Sequence, residues 1–178
     1  MSKVLIISSS PRKGGNSDIL CDQFAKGAVE AGHAVEKIRV CEKKIAPCLG
    51  CDACKKTGKC VQKDDARMVI DKMCAADVIV LATPVYFYSV CAQLKALIDR
   101  TVMIFPEMKN KTFYYLLTMG DTEKKNAAGT LAALRGFLEC YDGSKEAGMV
   151  CATGVNEKGE VQSTPFFEAA YKLGLKVK

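Results

Sequence analysis

Short apolar runs alternate with helical patterns five times along this 178-residue chain. The runs are Val4–Ser8 (VLIIS), Ala34–Val40 (AVEKIRV), Val78–Ala82 (VIVLA), Thr112–Thr118 (TFYYLLT) and Gly148–Thr153. Most are rich in β-branched or aromatic residues, too short for a helix, and apolar without strict alternation, which marks strands covered on both faces. Between them the apolar spacing changes to the helical period. Asn16 or Ser17 is placed to cap a first helix that carries Ile19, Leu20, Phe24 and Val29 and stops at Gly32. Asp64 or Asp65 is placed to cap a second, through Met68, Ile70, Met73 and Cys74. Further helices are expected at Cys91–Val102, held short by Pro106, at Asn126–Tyr141 and at Pro165–Leu173. This order, with no repeat or linker, predicts one doubly wound α/β domain over residues 1–178, built on a parallel sheet with helices on both faces. Ligands of such sheets sit beyond the carboxyl ends of the strands. Three loops therefore carry the functional expectation: Ser8–Ser17, Thr83–Ser89 and Thr118–Asn126.

Composition narrows the function classes. The formal net charge is +6, but the basic residues are dispersed and form no Lys/Arg block interleaved with aromatics. A solvated surface tolerant of anionic ligands is expected, with no nucleic-acid interface. No apolar run reaches membrane-spanning length, and the start MSKVLIISSSPRKGG lacks the pattern of an export signal, so no membrane contact and a cytoplasmic location are expected. Ten cysteines in a reducing compartment point to metal or redox chemistry rather than disulfides. Cys21, Cys41, Cys74, Cys91, Cys140 and Cys151 lie in apolar segments and read mostly as small buried hydrophobes.

The first loop, SSSPRKGGNS, is neither GxGxxG nor GxxxxGK[ST]. It offers hydroxyls, one arginine and a helix N-terminus, which together suit a phosphate monoester. Ser10, Asn16 and Ser17 are the side-chain donors, and Arg12 adds a charge-assisted contact. The second loop, TPVYFYS, places Tyr86, Phe87 and Tyr88 at the mouth of the sheet, as a wall for a flat heteroaromatic ring or as a subunit contact. A late Gly154–Gly159 spacing resembles a nucleotide loop but is followed by Glu160 rather than Lys. The single histidine, His33, follows Gly32 and reads as a surface residue. No cysteine precedes any arginine at the Cys-x5-Arg spacing of the tyrosine phosphatases, which share a similar layout.

SSSPRKGGNS after the first strand, ATPVYFYSVCAQLKALIDR after the third and the AAD before the third resemble the NAD(P)H-dependent FMN reductase group of flavodoxin-like proteins. The Cys-x2-Cys-x2-Cys-x5-Cys segment of Cys48, Cys51, Cys54 and Cys60 is similar to the iron–sulfur flavoprotein branch. The resemblance covers about residues 1–120. It implies a five-stranded sheet of order 2-1-3-4-5 and an FMN-dependent oxidoreductase. It assigns the FMN phosphate to Ser10, Arg12, Asn16 and Ser17. Thr83, Pro84, Val85, Tyr86, Phe87 and Tyr88 would line the ring and ribityl chain, and Thr118, Met119 and Gly120 would close the far side. NAD(P)H or a ferredoxin-like protein is the implied donor and a quinone a possible acceptor, in a homodimer or homotetramer. No residue is named as catalytic, because hydride transfer to a flavin depends on stacking and alignment. The other reading is an electron carrier that reacts only with partner proteins; flavodoxins of that kind tend to be acidic, unlike this chain.

For the cysteine segment, four readings stand. Three cysteines spaced by three, with Gly50 and Gly58 for the turns and Lys55, Lys56 and Lys59 for charge, suit a [4Fe–4S] cluster closed by Cys60. The others are a loop without metal, a zinc site, and disulfides or redox-active thiols.

Overall fold

The computed structural model describes residues 1–105 and 107–178, so the helix stop expected at Pro106 lies outside the described residues. Five parallel strands form the sheet: β1 (Lys3–Ser8), β2 (Ala34–Arg39), β3 (Val78–Tyr86), β5 (Thr112–Thr118) and β6 (Lys145–Ala152). They lie in the order β2-β1-β3-β5-β6. A sixth, two-residue strand, β4 (Ser89–Val90), pairs antiparallel with the end of β3 and stands off this path. Counted without β4, the parallel strands follow the expected 2-1-3-4-5; the hairpin is the departure. It arises because β3 does not end at Ala82 but runs on to Tyr86 and folds back through Phe87 and Tyr88.

The sheet is covered on both faces. Leu5, Ile7, Ile79, Leu81, Phe113, Tyr115 and Leu117 point to one core, with helices α3 (Ala66–Ala75), α4 (Ala92–Arg100) and α5 (Ala128–Glu139). Val4, Ile6, Val78, Val80, Tyr114 and Leu116 point to the other, under α1 (Asn16–Glu30) and α6 (Pro165–Leu175). Period-two alternation of buried residues onto opposite cores is what a doubly covered parallel strand requires.

Several local expectations are corrected. The cap of α1 is Gly15, and Asn16 and Ser17 are the first helical residues. Val29 is exposed, and Leu20, Cys21, Phe24 and Ala28 make the buried stripe. Asp65 occupies the cap of α3 without a side-chain cap bond; the Asp64 carboxylate accepts the Ala66 N–H at 3.1 Å instead. Cys140 is exposed, as it lies just past the end of α5, whereas Cys21, Cys91 and Cys151 are buried.

Helices α1 and α6 cross closely because glycine stands on both sides. A Cβ on Gly27 would lie 2.2 Å from the Tyr171 carbonyl oxygen, and one on Gly174 would lie 2.2 Å from that of Phe24. Gly27→Ala should therefore cost about 2–3 kcal/mol in urea unfolding. Gly136→Ala, on an exposed helical position with nothing within 4 Å, should gain about 0.5–1 kcal/mol.

Candidate flavin and cysteine sites

The first loop is held from below by one carboxylate. Asp18, in the first turn of α1, is buried. Its Oδ1 accepts from Ser8 Oγ at 3.1 Å and its Oδ2 from the Gly14 N–H at 2.9 Å. Two cations from β2 complete the group: Lys37 Nζ lies 3.2 Å from Oδ1 and Arg39 Nη1 2.7 Å from Oδ2. Burial alone raises the Asp18 carboxyl, but the Gly14 amide, Lys37 and Arg39 outweigh it and hold the group below its ordinary value. Ser9 adds a tie to the neighbouring strand, its Oγ donating to the Ala82 carbonyl at 2.6 Å.

Above this base opens a cavity of about 210 Å³. Ser10, Arg12, Asn16 and Ser17 line it from the first loop. Pro84, Val85 and Tyr86 line it from the end of β3, and Thr118, Met119 and Gly120 from the end of β5. Ten of the thirteen residues singled out for a cofactor are thus brought together. Thr83, Phe87 and Tyr88 are not among them. Thr83 is fully buried, its hydroxyl accepting the Cys91 N–H at 3.1 Å and donating to the Pro84 carbonyl at 2.8 Å. Phe87 and Tyr88 form the tip of the hairpin, both with positive φ (47° and 62°), and point outward, Phe87 being 100% exposed.

A fourth wall was not anticipated. Val155 and Asn156, after β6, line the same cavity. This segment is bolted to the first loop. Arg12 Nη1 donates to the Asn156 carbonyl at 2.7 Å. Asn16 Nδ2 donates to the Glu157 carbonyl at 2.8 Å, while Asn16 Oδ1 accepts from the Gly159 and Val161 amides at 3.1 and 3.2 Å. The Asn16 side chain is therefore committed to protein partners. The available signal was positional: the loop after each parallel strand reaches the same rim, and TGVNEKG follows β6. What remains to meet an anion is the Ser10 hydroxyl, the Ser17 hydroxyl (2.6 Å from Thr118 Oγ1), the Arg12 guanidinium and the first-turn amides of α1. That donor set fits a phosphate monoester.

The four clustered cysteines line a second cavity, of about 320 Å³. Gly50 and Gly58 take positive φ (63° and 68°) around a five-residue helix, α2 (Ala53–Thr57). Beneath lies Arg100, 1% exposed, from the end of α4. Its guanidinium donates to both Asp64 carboxylate oxygens at 2.7 and 2.9 Å, to the Ala46 carbonyl at 2.9 Å and to Cys60 Sγ at 3.3 Å. Its Nε is buried without a partner among the described residues. Asp64 also accepts the Ala46 N–H at 3.0 Å, so one ion pair fastens both ends of the cysteine segment to α4. Among the described residues no three His, Cys, Asp or Glu side chains converge on a single-ion site, and all ten cysteines are free thiols. The four thiols share one cavity with the buried Arg100 cation, which is the donor and charge chemistry an anionic cluster would need, without converging as a ligand set among the described residues.

Residues 2–148 match the NADPH-dependent FMN reductase family. The chain belongs to this family. Within it, the chain is 40% identical over 142 residues to an iron–sulfur flavoprotein of Methanosarcina thermophila, covering 78% of this chain and 74% of that one. It is 42% identical over 111 residues to an iron–sulfur flavoprotein of Methanocaldococcus jannaschii, covering 61% of this chain but 58% of that one. The match thus spans a little over half the length of the M. jannaschii relative. Among solved structures, an NAD(P)H:quinone oxidoreductase from Methanothermobacter marburgensis superposes with a TM-score of 0.77 over 98% of this chain and 94% of the other, at 17% identity, which establishes the flavodoxin-like fold. The family match ends before the segment that forms the fourth wall.

Two outcomes follow. Asp18→Asn should destabilise the fold by about 3 kcal/mol at neutral pH, since it leaves Lys37 and Arg39 facing a neutral amide. The folded carboxyl titrates below its unfolded value near 3.9, so its contribution is full above about pH 5 and is lost as pH falls through the folded value. The gap between wild type and Asp18→Asn in urea unfolding should therefore shrink from pH 5 toward pH 3. Arg100→Met alone should cost about 3–5 kcal/mol by stranding Asp64, and the double variant R100M/D64N should recover most of that loss.

Proposed function

We propose that this protein is an FMN-dependent oxidoreductase of the NAD(P)H-dependent type. The observation that carries this reading is the cavity at the carboxyl ends of β1, β3 and β5, where serine hydroxyls, Arg12 and the start of α1 face Pro84–Tyr86 and Thr118–Gly120. Bound FMN would supply hydride and single-electron transfer at its ring. Ser10, Arg12 and Ser17 would hold the phosphate, with Asn16 acting through the loop it fastens. At about 210 Å³ the cavity is smaller than the roughly 300–1,000 Å³ of sites that enclose a whole ligand. It would take the phosphate and ribityl chain, with Tyr86 and Gly120 at the open rim left for the ring.

Cys48, Cys51, Cys54 and Cys60 are proposed ligands of a [4Fe–4S] cluster, with Arg100, Lys55, Lys56 and Lys59 compensating its charge. The names of the archaeal relatives support this. A reduced nicotinamide or a ferredoxin-like protein is the proposed donor, and a quinone a proposed acceptor. A homodimer or homotetramer joined near the exposed aromatic hairpin, in the cytoplasm, completes the reading. The electron-carrier reading keeps both cofactors and drops turnover with nicotinamide.

Protein purified without oxygen should contain one FMN per chain and about four iron and four acid-labile sulfide. It should oxidise NADH or NADPH with a quinone present. FMN without iron would remove the cluster and leave a flavin reductase. Both cofactors without nicotinamide oxidation would favour the carrier. Absence of FMN after reconstitution would overturn the central reading.

A further inference from the structure

Asn156 stands on the rim of the flavin cavity in a position its own needs do not explain. Its backbone is fixed at both ends, the N–H donating to the Glu160 carboxylate at 2.6 Å and the carbonyl accepting from Arg12 at 2.7 Å. Its side-chain carboxamide is exposed and makes no hydrogen bond among the described residues. It nevertheless occupies the space that a side chain on Gly120 would fill. A Cβ placed on Gly120 would come within 1.9 Å of Asn156 Oδ1, 2.7 Å of its Cγ and 3.0 Å of its Nδ2. Gly120 is not in the left-handed region, so no backbone requirement for glycine exists there. The missing side chain leaves room for the carboxamide at the cavity edge.

An unpartnered carboxamide at the cavity edge presents one acceptor and two donors side by side. The pyrimidine edge of an isoalloxazine ring alternates carbonyl acceptors with an N–H donor and pairs with that pattern. We infer that Asn156 is a further flavin-binding residue, its carboxamide taking the pyrimidine edge of the ring, and that Gly120 is glycine to let it reach. The inference rests on the proposal that this cavity holds FMN. Asn156 lies beyond residue 148, outside the family match, so membership in the family does not assign it.

The test is flavin affinity, read by fluorescence quenching with apoprotein. Asn156→Ala should weaken FMN binding by about tenfold, the loss of one or two hydrogen bonds. Gly120→Ala should weaken it similarly by displacing the carboxamide. The double variant should be no weaker than Asn156→Ala alone, since the glycine matters only through the asparagine. Thermal unfolding of the apoprotein should be unchanged in Asn156→Ala, which separates a ligand contact from a scaffold role. The same loss should appear with riboflavin, which lacks the phosphate. Affinity for FMN unchanged in Asn156→Ala would overturn the inference, as would additive losses in the double variant. A loss seen with FMN but not riboflavin would move the contact to the phosphate and overturn the ring assignment. Wild-type protein that binds no flavin would overturn the cavity's assignment itself, a result distinct from all of these.

Discussion

The arrangement around the proposed flavin site depends on the buried Asp18 carboxylate. It gathers β1 through Ser8, the first loop through Gly14 and β2 through Lys37 and Arg39. A carboxylate removed from water is unfavourable unless hydrogen-bonded and paired, and here both conditions are met from three directions. The consequence is a loop whose backbone path is set before any ligand arrives. Arg12 and Asn16 then use that path to fasten a distant segment, Asn156–Val161, so that a wall from the end of the chain stands beside one from its beginning. Preorganisation of this kind lowers the ordering cost of binding.

Helix α4 joins the two candidate sites. At its start Cys91 caps it, bonding through Sγ to Ser9 and through its N–H to Thr83, beneath the flavin cavity. At its end Arg100 holds Cys60 and, through Asp64, the whole cysteine segment. Nine helical residues at 1.5 Å each span about 14 Å. A single helix therefore runs from beneath the proposed flavin cavity to the base of the cysteine cavity.

The strands and helices were legible because each carries its own periodicity: VLIIS and VIVLA could be little else inside a doubly covered sheet. That the first loop would line a cavity was legible from its place after the first strand; its phosphate role is a proposal that rests on hydroxyls and an arginine before a helix. Long-range pairing was not. Nothing in the sequence indicates that Asn16 reaches residues 157–161, because a short polar side chain before a helix ordinarily caps that helix, and Gly15 does so here instead. Arg100 was equally hidden. In CAQLKALIDR it reads as the basic last turn of an amphipathic helix, and only the fold shows it buried on Asp64, 36 residues away in sequence.

The hairpin at Tyr86–Ser89 shows a different limit of sequence reasoning. Two-residue turns with both central φ positive ordinarily carry Asn-Gly or Asp-Gly, and here they carry Phe87 and Tyr88. Each bulky residue in that region costs about 1–2 kcal/mol. The surrounding structure sustains the cost. Val85 and Val90 pair across the strands, and Gly129 on α5 admits the Tyr88 carbonyl oxygen at a distance where a Cβ would lie 2.5 Å away. A flexible loop would place the same aromatics without strain, but in no single position. The surrounding contacts therefore hold the hairpin in one conformation, with Tyr86 against the cavity and Phe87 and Tyr88 turned outward from it.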